Sequence, residues 1–220
     1  MKVIHYIGTK NEFIPNKIFC LGQNYVNHVK EMKSEIPLTP VIFTKPTSAI
    51  ITDGAPIILP KISNQVHHEV ELVVAIGKDG KNISAQDAFN HVVGYAIGLD
   101  MTLRDVQSEA KKKGLPWTIA KGFDTSAPIS DILPSSMINN PQNLVLQCTV
   151  NNEIRQHGSA RDMIFSIDKI IAYLSSIFTI EAGDLIFTGT PEGVGPVHAG
   201  DIVRAELVGV ITITHPVIAE

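Results

Sequence analysis

His67-His68-Glu69-Val70-Glu71, running into Leu72-Val73-Val74-Ala75-Ile76, constrains this chain more than any other stretch. Val66 to Gly77 reads as one long strand that stops at the turn Gly77-Lys78-Asp79-Gly80. The two-residue period of a strand puts Glu69 and Glu71 on one face and Val70, Leu72 and Val74 on the other. Two neighbouring carboxylates repel each other unless a positive charge lies between them. A hard divalent cation is the natural neutraliser, because carboxylate oxygens suit Mg²⁺, Ca²⁺ or Mn²⁺ better than zinc. A solvated strand face is the competing reading. The apolar continuation of the strand argues against a face that is fully wet.

A second apolar run, Val92-Val93-Gly94-Tyr95-Ala96-Ile97-Gly98-Leu99, leads into Asp100. Its glycines suit a close backbone approach. Asp100 is either an acid favoured by the following helix dipole or a third oxygen ligand across from Glu69 and Glu71. Thr102 with Asp105 three residues on reads as a helix start of the capping-box type, and Gly114 and Pro116 end that helix. On it, Arg104 and Gln107 share a face turned either to solvent or back to the acids. Lys111, Lys112 and Lys113 read as its solvated basic end, suited to the negative pole. A short helix beginning near Asn24 carries His28 and Glu31 at i and i+3. That pair is an acid–base dyad or a surface ion pair. His67 is either packed or a supporting neighbour of the acids, and His68 faces away from Glu69.

The remaining elements follow from the same rules. Asn143 to Val150 is a strand, with Asn151-Asn152 as a two-residue hairpin turn. Ser166 caps a helix running to about Ile177. Strands are expected at Asp184–Thr188, Asp201–Val208 and Val210–His215. This is a β-rich, mixed α+β chain without regular strand–helix alternation, which excludes Rossmann and TIM architectures. Its 220 residues suit a single catalytic domain over 1–220, with about 1–60, broken by six prolines, as a small N-terminal or lid region.

With 44% hydrophobic and 18% charged residues, the chain is globular rather than disordered. Its formal charge of −4 offers no basic excess for a nucleic-acid backbone. No run is apolar and long enough to cross a bilayer. Two cysteines, Cys20 and Cys148, sit in apolar runs and read as inert core thiols of a reducing compartment, so a cytoplasmic protein is expected. Thr188-Gly189-Thr190-Pro191-Glu192-Gly193-Val194-Gly195-Pro196 lacks the marks of a P-loop or dinucleotide fingerprint. It is a plain turn, or a loop offering backbone N–H groups and the Thr190 hydroxyl to a carboxylate. No G-x-S-x-G is present to support a serine hydrolase.

Several of these blocks stand together in a known order. Gly22-Gln23-Asn24-Tyr25 with His28, Phe43-Thr44-Lys45-Pro46, His67 to Glu71, Gly94-Tyr95 through Thr102, Arg104 to Gln107 and Lys112 to Trp117 are the first. Ala120-Lys121, Met163 to Ser166 and Thr188 to Pro196 complete the set. This ensemble resembles the fumarylacetoacetate hydrolase family, in its short acylpyruvate hydrolase/oxaloacetate decarboxylase branch. The resemblance implies a mixed β-sandwich roll, a homodimer, and Mg²⁺ or Mn²⁺ held by Glu69, Glu71 and Asp100. By the same match, His28 and Glu31 resemble a dyad on a mobile lid and Lys121 the active-site lysine. Lys45, Arg104, Gln107 and Thr190 resemble substrate-contacting positions. Gln23 departs from the family, whose members often carry a basic residue there, and the lost charge weakens an anionic contact.

The implied activity is that of a metal-dependent enzyme acting on small 2-oxo acids through a metal-stabilised enolate. Its outcome is acylpyruvate hydrolysis, oxaloacetate decarboxylation or both. An isomerase reading uses the same parts: oxaloacetate keto–enol tautomerase, or 2-hydroxyhepta-2,4-diene-1,7-dioate isomerase. A non-catalytic metal- or ligand-binding module is the third reading, and it leaves His28, Glu31 and Lys121 without a purpose.

Overall fold

A computed structural model describes residues 2–220. Two sheets dominate it. The six-stranded sheet runs, in spatial order, Leu133–Pro134, Val92–Leu99, Val70–Ile76, Leu185–Phe187, Ile18–Gly22 and Val41–Lys45. All its pairs are antiparallel except Leu185–Phe187 with Ile18–Gly22. The five-stranded sheet runs Glu153–Ser159, Val145–Val150, Ile202–Leu207, Ile211–Ala219 and Ile57–Leu59, the last pair parallel. A small third sheet joins Thr102–Leu103, Val66–His68 and Gly195–Pro196. Four short α-helices complete the architecture: α1 Val26–Glu31, α2 Arg104–Lys113, α3 Thr118–Lys121 and α4 Ile167–Ile177. The β-rich α+β class read from the sequence agrees with this.

The Val70–Ile76 strand is apolar on both faces apart from Glu71 because both faces are covered. Val70, Leu72, Val74 and Ile76 pack with Leu146, Cys148 and Val203 of the five-stranded sheet and with Ile170 and Leu174 of α4. Val73 and Ala75 pack with Ile18, Cys20 and Ile50 on the opposite side. Covering of this kind favours a continuous hydrophobic run over alternation. Both cysteines are buried and unpaired, and burial pushes their thiols up, that of Cys148 to about 12. The glycines of the neighbouring strand serve the close approach expected of them. A Cβ at Gly94 would lie 2.5 Å from the Leu133 carbonyl oxygen.

Three local readings need correction. The long strand expected from Val66 to Gly77 is two strands, broken at Glu69. Residues 66–68 pair with the small sheet and residues 70–76 with the large one, so the chain changes partners at the glutamate. The capping box at Thr102 is not formed. The cap position is Leu103, the Thr102 hydroxyl bonds the Asp100 carbonyl, and Asp105 accepts from Ser63 and Asn64. Ser166 takes the N-cap position of α4 as expected, but its side chain makes no capping hydrogen bond; the Ile167 N–H is met by Gln142. Two turn readings hold: Asn151 and Asn152 both have positive φ, at 52° and 67°, and Gly114 ends α2 at φ 64°. The first sixty residues give strands to both main sheets.

Candidate active site

The sheet register assembles the acids. Val70 pairs with Leu99, and the Asp100 N–H donates to the Glu69 carbonyl at 2.8 Å, so the ends of two central strands lie side by side. Glu69, Glu71 and Asp100 each then offer a carboxylate oxygen, all within 4.8 Å of one another and all buried. Three such charges out of water demand compensation.

Three cations meet them. Lys121, at the end of α3, donates to Glu69 Oε2 at 2.7 Å, to Asp100 Oδ2 at 2.6 Å and to Thr102 Oγ1 at 2.6 Å. Lys45 lies 2.8 Å from Asp100 Oδ1 and bonds the Met101 and Lys121 carbonyls. Arg104, at the start of α2, binds Glu69 Oε1 through one nitrogen and Gln107 Oε1 through another. Burial alone raises the Glu69 carboxyl, but Lys121 and Arg104 outweigh it and hold the group well below the usual range. Glu71 has only the Gly189 N–H, at 2.7 Å, and burial beside Asp100 and Glu69 pushes its carboxyl well above the usual range. Burial likewise works against the Lys121 ammonium, yet Asp100 and Glu69 raise it.

These donors fit a hard divalent ion. They are oxygen-only, converge at one point, and leave Glu71 without a cation of its own. Asp100 Oδ1 accepts no hydrogen bond of good geometry despite the nearby lysine. Mg²⁺, Ca²⁺ and Mn²⁺ are all ions that carboxylate oxygens suit.

Above the acids lies a narrow cleft that opens to solvent. Glu69, Glu71, Arg104, Gln107, Lys121 and Thr190 line its floor and sides, with His28, Gln23, Met32, Phe43, Lys111 and Trp117 around them. His28 Nδ1 lies 3.1 Å from Glu31 Oε2, and Glu31 Oε1 accepts from the Gly193 N–H at 3.1 Å. Helix α1 is thus tied to the glycine-rich loop, again through Asn27 and Glu192 at 3.0 Å. With Nδ1–H given to a carboxylate, Nε2 is the basic nitrogen.

Of the residues singled out in the sequence, eight reach the cleft or its carboxylate floor together: Glu69, Glu71, Asp100, Arg104, Gln107, Lys121, Thr190 and His28, with Glu31 joined to them through His28. Lys45 does not. It is fully buried behind Asp100, where its charge is spent on that carboxylate. Lys111 is exposed, as expected of the solvated basic end of α2, and it also edges the cleft, with its ammonium 4.9 Å above the Trp117 ring. Gln156 escaped notice altogether. Its carbonyl accepts from His68 Nδ1 and the Val70 N–H at 3.0 Å each, and its amide donates to Thr190 Oγ1 at 2.7 Å and the Pro191 carbonyl at 2.8 Å. A lone polar residue on a strand carries no sequence signal for such a tie.

The profile of the fumarylacetoacetate (FAA) hydrolase C-terminal family matches residues 17–218. An oxaloacetate tautomerase of Bos taurus is 50% identical over 195 residues, covering 89% of this chain and 88% of its own. An oxaloacetate decarboxylase of Dictyostelium discoideum is 48% identical over 197 residues, covering 89% and 90%. A fumarylpyruvate hydrolase from Pseudomonas aeruginosa, solved in complex with Mn²⁺ and pyruvate, superposes with a TM-score of 0.96 at 36% identity, over 100% and 96% of the two chains. Both eukaryotic relatives are named as mitochondrial, which overturns the cytoplasmic expectation. Buried free thiols report a reducing environment and do not tell one reducing aqueous compartment from another.

Proposed function

We propose that this chain, an enzyme of the fumarylacetoacetate hydrolase family, acts on small 2-oxo acids, hydrolysing acylpyruvates and decarboxylating oxaloacetate. One observation carries the reading: the buried carboxylate triad and His28, tied to Glu31, face one cleft. A divalent ion, Mg²⁺ or Mn²⁺, held by Glu69, Glu71 and Asp100 would supply Lewis-acid polarisation of the 2-oxo group.

The chain's own residues supply the rest. Arg104 and Gln107 face the substrate from one side of α2 and orient its polar end. Thr190 and the glycine-rich loop close the opposite side. His28 Nε2 takes a proton from water aimed at the distal carbonyl, and Glu31 stabilises the imidazolium that forms. The oxygen of that water bonds to the acyl carbon as the adjoining carbon–carbon bond breaks. The bonding pair stays with the pyruvate fragment, which then takes up a proton to give pyruvate beside the acid released. Lys121, on the cleft floor, meets the negative charge that develops on the 2-oxo oxygen. Decarboxylation of oxaloacetate leaves the same pyruvate fragment and needs no water.

The bovine relative favours a second reading on the same parts, keto–enol tautomerisation of oxaloacetate, in which a proton moves on or off C3 and no carbon–carbon bond breaks. A homodimer belongs to the proposal too, and light scattering tests it. The deciding experiment supplies acetylpyruvate and oxaloacetate with Mg²⁺ or with a chelator and follows pyruvate and both oxaloacetate tautomers. Metal-dependent pyruvate release supports the first reading. Tautomer exchange without pyruvate supports the second, and no change in either substrate refutes both.

A further inference from the structure

The cations around the carboxylate cluster are already spent: Lys121 on Glu69 and Asp100, Lys45 on Asp100 from behind, and Arg104 on Glu69. Three positive groups stand there against three carboxylates. Lys111 is different. It lines the same cleft, and among the described residues no carboxylate lies within ion-pair distance of its ammonium.

Its place follows from the helix period. Arg104, Gln107 and Lys111 stand at i, i+3 and i+7 on α2, one stripe along one face. Seven residues at 1.5 Å each put Lys111 about 10 Å along the axis from Arg104, away from the carboxylate cluster and toward the mouth. There the ammonium rests over Trp117, which packs against Phe43 at 5.7 Å. Burial lowers the Lys111 pKa from that of an ordinary lysine, and Arg104 adds to the effect. An anion bound beside it would relieve both. Gln23, also in the cleft wall, is neutral and does not duplicate it.

We infer that Lys111 is the subsite for a second, distal carboxylate of the substrate, so that the cleft favours 2-oxo diacids over 2-oxo monoacids. The inference rests on the reading above, in which the 2-oxo end of the substrate lies at the carboxylate cluster. The remote carboxylate of a diacid then points up the α2 stripe toward the one cation without a partner. A partly exposed charge-assisted contact of this kind is worth about tenfold in affinity.

The test uses Lys111→Met, which keeps the stem and removes the charge, and Lys111→Arg, which keeps the charge. Steady-state rates with Mg²⁺ are measured for oxaloacetate, a dianion, and acetylpyruvate, a monoanion, at low and high ionic strength. In Lys111→Met the oxaloacetate-to-acetylpyruvate ratio of kcat/KM is expected to fall about tenfold, mainly through the KM for oxaloacetate. Lys111→Arg restores most of it. The rise of that KM with salt, expected of a screened ion pair, flattens in the methionine variant. Equal losses on both substrates, or an unmoved ratio, overturn the inference and leave the functional reading standing. A wild-type protein that turns over neither substrate overturns the reading and the inference with it.

Discussion

A histidine works as a base when one ring nitrogen is tied and the other is free. His28 meets both conditions, with Nδ1 on Glu31 and Nε2 left open beside the cleft. Hydrolysis needs a water deprotonated near neutral pH, and such a base contributes about 10²–10⁴-fold in rate. His28→Ala or Glu31→Ala is therefore expected to cut acetylpyruvate hydrolysis by about that factor while Mg²⁺ affinity stays near wild type. Oxaloacetate decarboxylation, which needs no water, falls less. Rates for both substrates on the same preparations decide it, and equal losses would assign the dyad to a step common to both. At this scale much of the site was legible, because Glu69, Glu71 and Asp100 sit at the ends of runs whose period is local. Lys45, expected at the substrate, lies buried behind Asp100 instead. A lysine's stem is long enough that its charge is placed by tertiary neighbours, and sequence spacing does not give them.

The glycine-rich loop is an element held by another element's side chain. Gln156, on the Glu153–Ser159 strand, uses both lone pairs and both protons to join the start of the Val70–Ile76 strand to Thr190 and Pro191. Gln156→Leu keeps the bulk and leaves the buried Val70 N–H without its acceptor. Its expected cost is about 1–3 kcal/mol of stability, read by urea denaturation, with a raised KM as Thr190 loses its brace. Unchanged stability and KM would remove Gln156 from this role. Elements whose signals are local were readable: the hairpin at Asn151-Asn152, the Gly114 stop and the helix after Ser166. The break at Glu69 was not, because pattern along a strand says nothing about where its hydrogen-bonding partner changes. The cap expected at Thr102 is missing because its hydroxyl donates to the Asp100 carbonyl and accepts from Lys121.

At the scale of the molecule, pairings such as Leu185–Phe187 with Ile18–Gly22 join segments far apart in the chain, and no periodicity announces them. They also bury polar groups that then answer to pH. His215 is fully buried, its Nδ1 on the Ala55 carbonyl at 2.8 Å and its Nε2 without a partner. Burial lowers its pKa, against smaller raising effects of Ala55 and Asp53. The unfolded chain therefore binds the proton more readily, and stability present above the ordinary histidine value of 6.5 is lost as pH falls below it. Urea midpoints are expected to drop from pH 7 to pH 5, and less steeply in His215→Phe. His67, lowered to about 4, and His68 add to the slope with the same sign in both proteins. An identical slope in the variant would clear His215 of this role. The largest consequence of the fold is the convergence of Glu69, Glu71 and Asp100 around a place for a cation. Calorimetric titration of chelator-treated protein with Mg²⁺ and Mn²⁺ tests it most directly. One ion per chain is expected, with binding weakened by about tenfold or more in each of Glu69→Ala, Glu71→Ala and Asp100→Ala; unchanged affinity in all three would contradict the account.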